Sequence, residues 1–181
     1  YSEVALALKP DAVIIRTLDA GADKFHGLLQ TSPDPNPFLG NRAIRICLKR
    51  LDVFRTQLRA ILRSTVHGNV KILLPFITTL EELKKALAFI RRVRRELEKE
   101  GVPLGERVEV GIMIEVPSAA LMAAEFMRFV DFVSIGTNDL IQYVLATDRG
   151  NERVAHLYQP LNPAVIRLIK HVVDTGNAAG K

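Results

Sequence analysis

The chain has 181 residues, 48% of them hydrophobic and 25% charged. That composition fits an ordinary globular domain with a real core and excludes a disordered chain. No apolar run reaches the length of a membrane-spanning helix, and the single cysteine, Cys47, excludes an internal disulfide and a cysteine-based zinc site while suiting a reducing cytoplasm.

The net charge is +5. A basic balance can mark nucleic-acid binding, but here its location says otherwise. Residues 42–63 hold seven basic residues and one acid, a local +6 that leaves −1 for the rest of the chain. One segment carries the whole excess, and neither nucleic acid nor a membrane is expected as a partner.

In chain order, a helix ending near Lys9-Pro10 precedes a β-branched strand, Val13-Ile14-Ile15, that stops at Arg16-Thr17. Residues 19–38 read as a loop punctuated by glycine and proline. Residues 42–64 form one helix, with Ile44, Cys47, Leu48, Leu51, Phe54, Leu58, Ile61 and Leu62 at three- and four-residue steps. Gly68 ends it. A strand at 70–77 follows, with Pro75 at or just past its end because proline donates no ladder hydrogen bond. A helix at 79–100 mixes acidic and basic residues, as a solvated face does. Then come a strand at 108–115, a small-residue helix at 117–126, a strand at 131–135, a helix at 140–146, a loop at 148–163 and a helix at 164–174.

Strand–helix alternation argues for an α/β fold with parallel strands buried on both faces. A doubly wound sheet and a (β/α)8 TIM barrel both satisfy it. No glycine-rich dinucleotide turn follows the first strand, and no P-loop occurs. Polar groups instead follow the strands on their C-terminal side: Arg16 after the first, Glu115 after the third, Asn138-Asp139 after the fourth. That is natural at the rim of a (β/α)8 barrel, where several strands supply one site. Four strands make only a partial barrel.

Glu115 and Asp139 offer the oxygen ligands that a hard divalent cation takes; equally, each could cap the next helix or pair with an arginine. Arg16, Arg42 and Arg149 are candidate clamps for phosphate or carboxylate, and Lys24 is a further candidate phosphate contact. Arg45, Arg55 and Arg59 read as solvated surface. Asp148-Arg149-Gly150-Asn151 is either a ligand-approach loop or a tight turn. The histidines show no metal-ligand spacing, and Cys47, on an apolar helix face, reads as inert core.

Four stretches together resemble the phosphoenolpyruvate-utilising enzymes: 13–19 (VIIRTLD), 36–45 (NPFLGNRAIR), 115–117 (EVP) and 134–151 (SIGTNDL through DRGN). The resemblance covers essentially the whole chain. The Asp-Arg-Gly-Asn loop favours the sugar-phosphotransferase branch over the dikinase and synthase branches.

The resemblance implies a barrel that binds phosphoenolpyruvate (PEP). In it Glu115 and Asp139 hold Mg²⁺. Arg16, Arg42 and Arg149 grip the phosphate and carboxylate, Asn138 and Asp139 also face the substrate, and Lys24 assists. It implies that the phosphoryl group passes to a histidine on a separate domain and then to a small histidine phosphocarrier protein, starting sugar uptake. A cysteine after a later strand would protonate the remaining enolate to pyruvate. Homodimerisation is implied too.

Ala22 and Val116 depart mildly from the family pattern, which often has Gly and Thr there. Residues matching the phosphohistidine domain, the first barrel strand and the cysteine strand are not among these 181. Residues 1–181 thus read as one partial PEP-binding barrel domain, expected to be inactive alone. Two other readings stay open: a non-catalytic PEP-binding or dimerisation module, and a PEP synthase or pyruvate phosphate dikinase type of enzyme.

Overall fold

A computed structural model describes residues 1–19 and 35–181. The chain divides into two compact units, one of residues 1–75 and 81–110, the other of residues 76–80 and 111–181.

In the first unit, α1 (Ser2–Ala7) leads to β1 (Val13–Arg16), which pairs in parallel with β2 (Val70–Leu74), Val13 opposite Val70 and Arg16 opposite Leu73. Burial along β1 alternates: Val13 and Ile15 are buried, but Ile14 is 50% exposed. The expectation of strands buried on both faces therefore fails for β1, whose period-2 alternation puts one set of side chains against the core and the other outside it. Pro75 lies just past β2, as expected.

The single helix expected over 42–64 is two helices, α2 (Ile44–Lys49) and α3 (Leu51–Ser64). Arg50 breaks them at φ −110° and ψ 71°. The break turns Leu51 outward, 40% exposed, while Phe54, Leu58, Ile61 and Leu62 stay buried. Gly68, at φ 85°, ends the short 3-10 turn that follows.

Helix α4 (Leu80–Lys99) buries Leu83, Ala86, Phe89, Ile90, Val93 and Leu97 at helical spacing. Phe89 stacks on Phe54 of α3, with centroids 5.4 Å apart. Arg55 pairs with Glu96, and Arg59 makes two bonds to Glu100 at 2.6 and 2.9 Å. Arg45 lies 3.6 Å from Glu82. The carboxylates of α4 thus answer part of the basic excess of residues 42–63, so these arginines are paired as well as solvated.

In the second unit, residues 111–114 of β3 (Glu109–Ile114) pair in parallel with β4 (Phe132–Ile135), Ile114 opposite Ile135. The helix expected at 117–126 breaks at Met122 into α5 (Pro117–Leu121) and α6 (Ala123–Met127). Then come α7 (Thr137–Val144) and α8 (Pro163–Ala179). Asn162 caps α8 by accepting from the Ala164 amide at 2.9 Å, and Pro163 takes the first helical position, where no amide is needed. Helices α5, α6 and α7 all pack on α8, and Ala119, Ala120 and Ala123 are small enough to sit fully buried there.

The strands run in the order β1-β2-β3-β4 within one sheet. The fold is the expected α/β class, and an open run of four consecutive strands matches part of a (β/α)8 barrel.

Candidate functional site

The first unit brings two of the expected arginines together. Arg16 is the last residue of β1, and the Thr17 amide continues the ladder by donating to Leu73 O at 2.9 Å. Asp19 follows three residues after Arg16. Its Oδ2 lies 3.2 Å from Arg16 Nη1, and its Oδ1 accepts from Arg42 Nη2 at 2.9 Å. One carboxylate thus links two guanidinium groups and leaves the trio with a net positive charge.

Burial separates the pair: Arg42 is buried, its guanidinium 5.8 Å from the Phe38 ring centre, whereas the Arg16 side chain is 48% exposed. The next residue, Ala43, is fully buried at φ 47°, a left-handed conformation uncommon outside glycine. Strain of this kind is held in place only by surrounding packing. Lys24 lies outside the described residues.

The second unit holds Glu115, Asp139 and Arg149, and brings the last two together. Glu115 directly follows β3 and is 3% exposed. Its Oε1 accepts from the Phe76 amide at 2.6 Å. Gly136, just after β4, lies against the same side chain: a Cβ there would sit 2.7 Å from Glu115 Cβ and 2.9 Å from Oε2. Only glycine admits that approach.

Asp139 and Asn138 were expected in the segment before a helix; both are in the first turn of α7, whose positive end favours a carboxylate. Asp139 is buried, and its Oδ1 lies 3.3 Å from Arg149 Nη2. Of the two alternatives for Asp139, the arginine partner is met in the structure, whereas the cap position of α7 is Gly136, with no side-chain cap bond. An arginine partner is compatible with cation binding. Asn138 sits beside Tyr158, whose hydroxyl donates to the Asn138 main-chain oxygen at 3.2 Å.

The Asp148-Arg149-Gly150-Asn151 segment is a tight turn. Asp148 Oδ1 accepts from the Gly150 amide at 2.8 Å, and Asn151 Oδ1 accepts from the Arg153 amide at 3.1 Å. That turn presents Arg149 to Asp139.

Among the described residues, no three His, Cys, Asp or Glu side chains group as a metal cage. Two buried carboxylates match Mg²⁺, which binds through one or two carboxylates and keeps substrate oxygens and water. On its donor chemistry the pair fits that cation.

Two site residues were missed in the sequence. Asp19 lay within the motif quoted for Arg16, at a helical i, i+3 spacing that gave no hint in an extended segment. Gln142, whose Oε1 accepts from the Arg149 amide at 3.0 Å, had no signal except its place one turn after Asp139. Cys47 is fully buried, and burial pushes its thiol up to about 12, as expected of inert core.

The family model described as "PEP-utilising enzyme, PEP-binding domain" matches residues 1–181. The phosphoenolpyruvate-protein phosphotransferase of Geobacillus stearothermophilus is 52% identical over 181 residues, covering 100% of this chain and 31% of that protein. The protein of the same name from Bacillus subtilis (strain 168) is 49% identical, covering 100% of this chain and 32% of its own length. The chain thus spans about a third of the relatives it matches. Among solved structures, a citrate lyase from Burkholderia xenovorans LB400 superposes with a TM-score of 0.60 at 21% identity, over 99% of this chain and 57% of that one. At that identity the likeness concerns the fold alone. Among the described residues no helix is long and apolar enough to cross a membrane.

Proposed function

The chain belongs to the PEP-utilising enzymes, as their PEP-binding domain, and from that premise we propose that it binds phosphoenolpyruvate together with Mg²⁺. In the longer protein, the phosphoryl group then passes to a histidine of a separate domain and on to a histidine phosphocarrier protein, starting sugar uptake in the cytoplasm. The observation that carries the reading is the pair of buried carboxylates, Glu115 and Asp139, the second beside Arg149.

In this reading Glu115 and Asp139 hold the cation, which when bound offsets negative charge on the substrate. Arg16 and Arg42 contact substrate oxygens, and Asp19 restrains both guanidinium groups before the ligand arrives. A planar guanidinium offers two parallel donors to a phosphate or carboxylate. Arg149 and Asn138 are further donors for the ligand in this reading, and Lys24 another phosphate contact.

Phosphoryl transfer asks for positioning and charge neutralisation rather than for a covalent group from the binding domain. Restrained arginines fit that demand, because donors held in place cost little reorganisation at the moment of reaction. The 181 residues alone bind substrate but do not pass the phosphoryl group on, since the accepting histidine belongs to a separate domain.

Oxalate, a planar dianion that imitates the enolate of pyruvate, is the probe. Calorimetric titration of oxalate into the chain with Mg²⁺ is expected to give one saturable site, weakened at least about tenfold in Asp139→Asn and in Arg149→Ala. Binding unaffected by either substitution, in variants with native circular dichroism, removes the site from these residues.

A further inference from the structure

Gln142 is a buried polar residue of the second unit with no role in the reading above. It lies on α7, three residues after Asp139 and so on a neighbouring part of the helix surface. Its main-chain oxygen accepts from the Thr147 amide at 2.9 Å, across Ala146 at φ 49°. That bond, spanning a left-handed residue just past the helix, is a familiar helix-ending motif, with alanine where glycine is usual.

The side chain makes a bond that no helix end requires. Gln142 Oε1 accepts from the Arg149 amide at 3.0 Å. The guanidinium of the same arginine reaches Asp139 Oδ1 at 3.3 Å. Arg149 is therefore tied to α7 at both ends, its main chain through Gln142 and its charged head through Asp139. Without the first tie, the exposed turn at 148–151 is held mainly by its own short bonds, and the long arginine side chain has more positions to choose from.

We infer that Gln142 is a positioning residue that fixes the Arg149 main chain so that its guanidinium stands beside Asp139, ready for an anionic ligand. Glutamine suits the task because it is long enough to reach and accepts without adding charge. Leucine would fill the same space with no acceptor. Glutamate would accept the bond while adding a second negative charge near Asp139. The inference rests on the reading of Asp139 and Arg149 as ligand-binding residues.

The test is a double-mutant cycle on the chain, with two readouts: PEP affinity in Mg²⁺ by calorimetry, and hydrogen exchange of the Arg149 amide by NMR. Gln142→Leu is expected to weaken PEP binding about tenfold and to speed exchange of the Arg149 amide by at least about tenfold. In an Arg149→Ala background the same substitution is expected to cost no further affinity. Gln142→Glu should restore the slow exchange, because it restores the acceptor.

An equal loss in both backgrounds would show a general structural effect and overturn the inference. So would unchanged affinity in Gln142→Leu while Arg149→Ala weakens binding; that result leaves the site reading standing. If the unaltered chain binds no PEP although the Arg149 amide is protected, the site reading fails first and the inference falls with it. Should Gln142→Leu not fold, Gln142→Asn, one methylene too short to reach Arg149, carries the same comparison.

Discussion

Glu115 Oε1 accepts a 2.6 Å hydrogen bond from the main-chain amide of Phe76, a residue at φ 58°. Both residues are buried. A large non-glycine residue in the left-handed region is strained, and such strain persists only where the surroundings hold it. The Phe76 ring, 5.9 Å from that of Tyr143, supplies part of that hold, and the bond to Glu115 another part.

Structure and ligand binding should therefore separate at Glu115. Glu115→Ala removes the acceptor used by the Phe76 amide and is expected to cost about 1–3 kcal/mol in chemical denaturation. Glu115→Gln keeps an acceptor and should cost less. Both should lose Mg²⁺-dependent ligand binding. A Glu115→Gln protein that binds as tightly as the unaltered chain would exclude Glu115 as a metal ligand.

Gly136 tests the same carboxylate from the other side. A Cβ at this position meets Glu115 Cβ at 2.7 Å, Glu115 Oε2 at 2.9 Å and Met113 Cγ at 2.9 Å. Overpacking of this kind costs about 1–3 kcal/mol, and the crowded neighbour here is the carboxylate itself. Gly136→Ala should lower both thermal stability and Mg²⁺ affinity. Stability lost with Mg²⁺ affinity intact would mean that the glycine serves packing only.

Much of this arrangement was legible in the sequence, for identifiable reasons. Strands β2 and β3 are largely apolar runs, and the polar Glu115 that directly follows β3 stands out against its strand. The breaks at Arg50 and Met122 were not legible, because neither is a glycine or proline and the apolar spacing continues across both. The start of α7 was placed too late because Thr137-Asn138-Asp139 reads as loop, although it forms the helix's first turn. Asp19 and Gln142 act through contacts made only in the folded chain, so local pattern could not mark them. Arg45, Arg55 and Arg59 looked like plain surface because their partners, Glu82, Glu96 and Glu100, lie about 40 residues away in sequence.

Those partners give the α3–α4 contact a pH dependence. The hydrogen bond from Arg55 lowers the carboxyl of Glu96 below its ordinary value, and that from Arg59 does the same for Glu100. A carboxylate lowered on folding contributes stability above its unfolded value and loses it as pH falls through the folded value. The Arg55→Ala, Arg59→Ala double variant should have a lower denaturation midpoint than the unaltered chain at about pH 7, a gap that closes towards about pH 3 and in high salt. A gap that persists at acid pH would assign the arginines' contribution to packing of their stems instead.

Cys47 should be silent in the native state. It is fully buried on α2, and desolvation raises its thiol to about 12. Because the thiolate is the reactive form, a thiol-specific reagent at mildly alkaline pH should label the chain slowly in buffer and rapidly in denaturant. Fast labelling without denaturant would reveal local opening of α2, next to Ala43 and Arg42.

The central claim is that these 181 residues carry a Mg²⁺-dependent PEP site. Its most direct measurement is a calorimetric titration of phosphoenolpyruvate into the folded chain, once with Mg²⁺ and once with the metal chelated. Saturable binding to one site with Mg²⁺, lost on chelation, is the expected result. No binding by a demonstrably folded chain, or equal binding in both conditions, would contradict it.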